Sequence, residues 1–315
     1  MKWFVVIAIL GLIAIGGWLS FNSRIETMMQ DGDEEISELA LDDLDTGCLG
    51  GKDCIPSIDK PVFESAFEAD RWLENDDRVF GVDYLGVQKA YSQRILNWHE
   101  IVNDQFGDES VAITFCPLCG SALGFKRLVR DQVSEFGVSG KLHNSDLVMY
   151  DRLTDSYWQQ ITGEAIIGSA KGQVLEQIPI ITTTWAEWKN AKPETLNLSR
   201  DTGVKRDYDQ YPYGTYEEND EILFGVENID KSLQIKTVVY GVELEGRAKA
   251  YVEEDLTKLK IIEDKIGETN IKIERSESGE VKVTNEVTGV AITPIRLFWF
   301  AWAAFHPDTE IYQIP

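Results

Sequence analysis

The sequence predicts a mainly β fold with a few short helices, a strand-rich α+β protein, and three observations support this class. Short runs of β-branched and aromatic residues, such as "VAITF", "LVMYD" and "KTVVY", are separated by Gly, Asn and Asp. Helical periodicity is scarce, and "QRILNWHEIVND" at residues 93–104 is the best helical candidate in the first half. With 315 residues, 43% of them hydrophobic, the chain can bury a core of one large domain or two ordinary ones.

Two pairs of similar segments predict an internal duplication. "RVFGVDYLGVQKAY" (78–91) and "VVYGVELEGRAKAY" (238–251) share the pattern aromatic-Gly-Val-acid-x-x-Gly-x-x-Lys-Ala-Tyr. Each predicts a hairpin whose turn contains Gly86 or Gly246, because glycine adopts a positive φ without strain. Downstream, "WAEWKNAKPET" and "WFAWAAFHPDT" predict short aromatic helices that end before a proline. The repeated unit is therefore a hairpin followed by such a helix.

The N-terminus predicts a membrane anchor. Residues 3–21 contain no charge, and a helix of this length spans the core of a bilayer. Lys2 precedes the run, and the flank beyond Arg24 is acidic, so we expect the body to lie on the outer side. The alternative is a cleaved signal peptide, but the run is long for one and lacks a small-x-small cleavage site.

Four segments follow from these patterns. We predict a transmembrane anchor over 1–23 and an acidic spacer over 24–54. The first unit, 55–200, carries a Cys-x-x-Cys motif, and a shorter second unit, 201–315, packs on the first. The expected location is periplasmic or at the cell surface, with the membrane as a partner through the anchor.

Charge excludes one class of partner. The chain has 30 Lys and Arg against 54 Asp and Glu, a net charge of −24. Because such a surface repels phosphate backbones at long range, we expect no nucleic-acid binding.

The four cysteines fall into two close pairs. Cys48 and Cys54 bracket "LGGKD", which predicts a small disulfide staple of the kind permitted outside the cytoplasm. Cys116 and Cys119 lie in "TFCPLCGSALGF", where a turn and a returning strand follow instead of the helix that a thioredoxin-type site requires. Pro117 restricts one φ angle and Gly120 can take a positive φ, so this turn indicates a metal-binding knuckle.

A metal at this knuckle needs ligands from elsewhere in the chain. His99, in "NWHEIVND", is our predicted third ligand, and His143 or Met149 is the predicted fourth. Thiolate with imidazole suits zinc, whereas thiolate with thioether suits cuprous copper. For an isolated histidine, the alternative is a buried ring whose nitrogens are satisfied by neighbouring groups.

Several motifs together resemble a known family. "RILNWHEIVND", "TFCPLCGSALGF", "FGVSGKLHNSDLVMYD", "SYWQQITGEAI", "TTTWAEWK" and "FWFAWAAFHPDTE" are similar to the prokaryotic family of unknown function DUF3179 from about Ile55 to the C-terminus. The resemblance implies an exported or membrane-anchored protein with the Cys-x-x-Cys at its centre, and it implies no activity. His99, Cys116 and Cys119 fall within the family's motifs, whereas Cys48 and Cys54 lie outside the resemblance.

Three functions stay open at this point. The first is an extracytoplasmic module that binds zinc or copper at Cys116 and Cys119 with His99. The second is a thiol-disulfide oxidoreductase in which the two cysteines cycle between dithiol and disulfide beside His99. The third is a non-enzymatic scaffold with a permanent disulfide and aromatic helices that bind a partner protein. The sequence identifies no catalytic residue and no substrate.

Overall fold

The computed structural model describes residues 39–314. Strands hold 41% of the residues and helices 14%, so the predicted mainly β class with short helices is confirmed. Residues from Leu41 onward belong to one compact unit.

The helices of the described chain are all short. They are α1 (Ala66–Ala69), α2 (Gln93–His99), α3 (Trp185–Ala191), α4 (Glu253–Leu259) and α5 (Trp299–Phe305), with 3-10 turns at Leu41–Asp43 and Tyr216–Glu218.

The strands lie between these helices. They are β1 (Asp45–Thr46), β2 (Phe63–Ser65), β3 (Arg78–Tyr84), β4 (Val87–Ser92), β5 (Ile101–Phe106), β6 (Glu109–Cys116), β7 (Ser121–Lys126), β8 (Leu128–Val129), β9 (Gln132–Val133), β10 (Phe136–His143), β11 (Asp146–Asp151), β12 (Tyr157–Gln159), β13 (Ala165–Ile167), β14 (Gln177–Ile178), β15 (Ile181–Thr184), β16 (Leu196–Leu198), β17 (Val238–Leu244), β18 (Arg247–Val252), β19 (Ile261–Ile266), β20 (Thr269–Arg275), β21 (Val281–Asn285), β22 (Ala291–Ile292), β23 (Ile295–Phe298) and β24 (Glu310–Ile311).

Five sheets of four or five strands are arranged as the blades of a propeller-like ring. Their strand orders are β15-β3-β4-β16-β2, β14-β7-β6-β5, β1-β10-β11-β12-β13, β23-β17-β18-β24 and β19-β20-β21-β22, and β8 with β9 forms a separate pair. The largest apolar cluster lies where the sheet of β10–β13 meets β7, β23 and α5. Both cysteines of the Cys-x-x-Cys motif belong to that cluster.

Four of the five sheets form two copies of one arrangement. In the first copy β3 to β7 are followed by β14, β15, α3 and β16, and in the second copy β17 to β24 repeat the same pairings in the same order. The main difference between the copies is an insertion in the first, residues 127–176, which carries β8 to β13 between β7 and β14; β2 also adds an edge strand to the first copy. We call this segment the insertion. Residues 199–237, which join the two copies, are called the cover segment.

The two predicted hairpins have identical registers, which confirms that prediction. Gly81 pairs with Ala90 in the first, and Gly241 pairs with Ala250 in the second. The two turn residues of each hairpin have positive φ, with 51° and 78° at Leu85-Gly86 and 53° and 72° at Glu245-Gly246. Two successive positive φ angles match the right-handed twist of the flanking strands.

The two aromatic helices also match. The Trp188 indole donates to Thr195 Oγ1 at 2.9 Å, and the Trp302 indole donates to Thr309 Oγ1 at 2.8 Å. Both tryptophans are fully buried. The same indole-to-threonine hydrogen bond therefore holds each aromatic helix against the segment that follows it.

The predicted helix over 93–104 is wrong in its second half. Helix α2 ends at His99, and Glu100 caps it with a φ of 57°. The β-branched residues Ile101 and Val102 then pair with β6 instead of continuing the helix. Strand pairing overrides the helical spacing that the sequence suggests.

The predicted anchor over 1–23 and the spacer up to residue 38 lie outside the described residues. Within 39–314, no helix is long and apolar enough to cross a membrane. The end of the predicted spacer packs on the fold, because Asp45 pairs with Leu142 of β10. Cys48 and Cys54 form the predicted disulfide in this part of the chain.

Candidate metal centre

Three buried side chains form a group that could hold a metal ion. Ligand atoms of Cys116, Cys119 and Asp146 all lie within 4.8 Å of one another. Their exposures are 1%, 0% and 0%. Within residues 39–314, no other set of three or more His, Cys, Asp or Glu side chains comes together in this way.

The knuckle is a tight turn between two strands. Cys116 ends β6 and pairs with Ser121, the first residue of β7. The Gly120 amide donates to the Cys116 carbonyl at 2.9 Å, and the φ of Gly120 is 64°. The predicted turn is confirmed, because the glycine takes the positive φ that returns the chain and leaves both sulfurs on the inner side.

Two further contacts fix the turn from outside the first copy. The Phe298 amide in β23 donates to the Cys119 carbonyl at 2.8 Å. The Tyr216 hydroxyl in the cover segment donates to the Leu118 carbonyl at 2.9 Å. The position of the sulfurs therefore depends on both copies and on the cover segment.

The third member of the group comes from the insertion. Asn144 and Ser145 form a two-residue turn between β10 and β11, with φ angles of 51° and 63°. This turn places the Ser145 carbonyl 3.4 Å from Cys119 Sγ and 3.9 Å from Cys116 Sγ. Asp146 follows immediately, so the turn brings its carboxyl group to the two thiols.

The two carboxylate oxygens of Asp146 differ in their hydrogen bonds. Oδ2 accepts from Gln159 Nε2 at 2.6 Å and from the Ile161 amide at 3.0 Å. Oδ1 is buried and accepts no conventional hydrogen bond among the described residues, where the weak S–H donors Cys116 and Cys119 are its neighbours. An unpaired carboxylate oxygen in the protein interior is costly, and a cation held between it and the two sulfurs would satisfy it.

Burial controls the protonation of these groups. It raises the pKa of the Cys116 thiol and raises the pKa of the Cys119 thiol well above its ordinary value. It also raises the pKa of Asp146 to about 6, against the opposing effect of the bonds from Gln159 and Ile161 and of the two neighbouring thiols. Without a metal the thiols are therefore protonated at neutral pH, and a bound dication would displace their protons.

A second buried carboxyl group lies beside the centre. Burial raises the pKa of Glu100 to about 7, with a smaller contribution from the charge of Asp146. The Tyr213 hydroxyl donates to Glu100 Oε1 at 3.0 Å. The backbone of Glu100 is also fixed, because its carbonyl accepts from the Phe115 amide at 2.7 Å, next to Cys116.

The structure does not bring His99 into the group. His99 Nδ1 lies 2.7 Å from the Pro56 carbonyl, and Nε2 lies 2.7 Å from the Tyr208 hydroxyl. Since a carbonyl only accepts, Nδ1 carries the proton and Nε2 accepts from the tyrosine. Burial lowers the pKa of His99, which keeps this neutral form. Both ring nitrogens are engaged, so the ring is a satisfied core histidine.

His143 reaches the centre only through an intermediate. Its Nδ1 lies 2.8 Å from Gln159 Oε1, and Gln159 Nε2 in turn donates to Asp146. His143 thus orients the side chain that holds the carboxylate, instead of joining the group of ligand atoms itself. Met149 is buried in the apolar cluster that contains both cysteines.

Asp146 and Glu100 were not predicted as site residues. In the sequence, Asp146 is one of many polar residues set among strand formers in 143–166. The available signal was "HNSD", a short polar run between two strands that predicts a tight turn.

Comparisons with known proteins give one match. The family model described as "Protein of unknown function (DUF3179)" matches residues 52–294. No curated protein and no solved structure matches the chain. The matched range corrects the expected boundaries, because Cys54 lies inside it and the motif of α5 lies beyond its end. Since the match takes in most of the chain and all three members of the buried group, this protein belongs to the DUF3179 family.

Proposed function

We propose that this protein is a metal-binding domain whose centre uses Cys116, Cys119 and Asp146 as ligands. The observation that carries the proposal is the buried Asp146 carboxyl group, which has an oxygen within 4.8 Å of the two sulfurs and whose Oδ1 has no conventional hydrogen-bond partner among the described residues. A cation there would pair with the oxygen and with both thiolates. Three protein ligands leave one coordination position for a further ligand.

The ligand set favours zinc over copper. Zinc accepts thiolate and carboxylate ligands together, whereas cuprous copper prefers an all-sulfur set. The oxygen ligand in this group comes from Asp146, which the sequence hypothesis of a thioether ligand did not include. Zinc is accordingly the proposed metal.

The same features argue against a thiol oxidoreductase. A redox-active cysteine needs an accessible sulfur and a lowered pKa. Both sulfurs here are at most 1% exposed, and burial raises the pKa of both thiols. The metal-binding function therefore fits the centre better.

We further propose that the domain is anchored in the membrane by residues 1–23 and lies outside the cytoplasm. The apolar N-terminal run supports the anchor. The Cys48–Cys54 disulfide supports an oxidising compartment.

Metal content and thiol state of the purified full-length chain test both proposals. Cells are treated with an alkylating reagent at lysis, so that each cysteine keeps its cellular state. We expect one zinc ion per chain, a Cys48–Cys54 disulfide, and two thiols that react only after the zinc is chelated. Cys119→Ser should lose the zinc, whereas Ser278→Ala, in the corresponding turn of the second copy, should keep it.

Other outcomes contradict the proposals separately. A Cys116–Cys119 disulfide without metal would support the redox function, and freely reactive thiols without metal would exclude a zinc centre. A reduced Cys48–Cys54 pair in cells would contradict the location outside the cytoplasm.

A further inference from the structure

An apolar cavity lies directly beside the candidate metal centre. Its volume is about 210 Å³. Leu118, between the two cysteines of the knuckle, lines it together with Leu142 and Leu147 of the insertion. Leu223 and Phe224 of the cover segment complete the apolar wall.

The size of the cavity limits its occupant. A dry apolar cavity of about 150 Å³ is known to bind benzene. A volume of about 210 Å³ therefore suits a ring with a short substituent, roughly eight to ten non-hydrogen atoms.

The polar part of the lining is a single acid and its partner. Glu100 and Tyr213 both line the cavity. The Tyr213 hydroxyl occupies Glu100 Oε1, so Oε2 is the oxygen available to a ligand. Such an oxygen calls for a hydrogen-bond donor on the ligand.

No side chain in the lining neutralises this acid. Lys141 is the lining residue with a positive charge, but its Nζ is directed to the Leu44 carbonyl at 3.3 Å and Thr46 Oγ1 at 3.2 Å. With zinc bound, two thiolates and the Asp146 carboxylate sum to a charge of −1, and Glu100 adds to it. When Glu100 is ionised, the zinc-loaded cavity is therefore electronegative, which repels anions and favours a cationic head.

We propose that this cavity binds a small primary amine with an apolar body, with the ammonium group on Glu100 and the body against Leu118, Leu223 and Phe224. This inference deepens the proposed function and rests on it for the metal that would lie next to the ligand. The small molecules expected in the cavity are therefore amines and not carboxylates.

Three probes of nearly equal size test the assignment on the full-length chain. Benzylamine, benzyl alcohol and benzoate are titrated by calorimetry at about pH 8, where Glu100 is ionised and benzylamine is still protonated, into zinc-loaded and metal-free protein, with zinc content measured separately. We expect benzylamine to bind at least about tenfold more tightly than benzyl alcohol, and benzoate not to bind. Equal affinity for all three, tighter binding of benzoate, or no binding of any probe would overturn the inference.

Two variants locate the binding. Glu100→Gln keeps the shape of the side chain and removes its charge, so benzylamine affinity should fall about tenfold or more. Leu223→Trp should fill the cavity and abolish binding; Leu223 is 43% exposed, so folding tolerates the change. Leu153→Trp is the matched control, because Leu153 is 45% exposed and lies outside the cavity lining. Undiminished binding by Leu223→Trp would contradict the assigned cavity.

The two proposals can fail independently. A chain that holds zinc and binds no amine would retain the proposed function and lose this inference. A chain that binds benzylamine in the cavity without ever holding zinc would retain this inference and contradict the proposed metal-binding function.

Discussion

Equivalent strands of the two copies are connected by turns with different side chains. The turn at 116–121 belongs to the first copy and the turn at 276–280 to the second. The first reads Cys-Pro-Leu-Cys-Gly-Ser and its two sulfurs are buried. The second reads Ser-Glu-Ser-Gly-Glu and lies mostly at the surface. The strands and their pairing are the same, so the scaffold alone does not make a site.

The ends of the equivalent helices show the same contrast. Glu100 and Lys260 cap α2 and α4 with φ angles of 57° and 63°. Their carbonyls accept from the Phe115 and Arg275 amides at 2.7 and 2.8 Å. Glu100 is buried against Tyr213, whereas Lys260 is exposed. Identical backbone geometry thus carries a buried acid in one copy and a surface base in the other.

The insertion and the cover segment explain the difference. The insertion contributes Ser145 and Asp146 over the first turn, and the cover segment contributes Tyr213 and Tyr216. Both segments contact the turn of the first copy, and burial there raises the pKa values that distinguish the centre. The repeated strand pairings form the framework, and the insertion and the cover segment contribute the buried acidic and tyrosine side chains of the centre.

The largest expected difference in stability between the copies concerns two equivalent lysines, of which Lys89 is buried and Lys249 is half-buried. Lys89 bonds to both carboxylate oxygens of Asp104, at 2.9 and 2.8 Å, and to the Gln105 carbonyl at 2.9 Å. Its equivalent Lys249 lies 2.7 Å from Asp264. The Asp104 side chain is 5% exposed and that of Asp264 is 17% exposed. Leaving Asp104 unpaired is therefore the more costly change.

We expect Lys89→Met to lower the free energy of unfolding by about 3–5 kcal/mol, and Lys249→Met to lower it by less. Urea denaturation of both variants measures the difference. An equal loss in the two variants would show that the first copy is no more deeply buried than the second around this pair.

A smaller effect concerns pH and Glu100. Its pKa is 4.5 in an exposed setting and about 7 in the folded protein. The folded metal-free chain therefore keeps a proton that the unfolded chain releases, so stability falls as pH rises from about 4.5 to 7. Glu100→Gln should remove this part of the slope, on the order of 3 kcal/mol across that range. The pKa of Asp146 is also raised, to about 6. In the Glu100→Gln variant, stability should therefore still fall as the pH rises towards 6.

Lys260→Gln is the matched control at the equivalent helix end. It should leave the fall between pH 5 and 7 unchanged in chemical denaturation of the metal-free chain. If the unfolding free energy of Glu100→Gln depends on pH as strongly as that of the wild-type chain, Glu100 is not buried as described.

Local patterns in the sequence predict much of this fold. The hairpins at Gly86 and Gly246, the knuckle at Gly120 and the Cys48–Cys54 staple each depend on residues close together in the chain. Turn geometry and short loops are local properties, so their residue types identify them directly.

The rest depends on contacts between distant segments. Asp146 reaches Cys119 because the insertion folds back over the knuckle, and Tyr213 comes from the cover segment. His99 is close to the knuckle in sequence, but Pro56 and Tyr208 occupy its two nitrogens. No periodicity or spacing in the sequence encodes these partners, since they are fixed by tertiary packing.

The identity of the third ligand tests the central claim most directly. Zinc affinity of the full-length chain is measured by competition with a chromophoric chelator for Asp146→Asn and His99→Ala. We predict that Asp146→Asn weakens zinc binding at least about tenfold and that His99→Ala changes it less than about twofold. Loss of zinc in His99→Ala with full affinity in Asp146→Asn would contradict the centre described here.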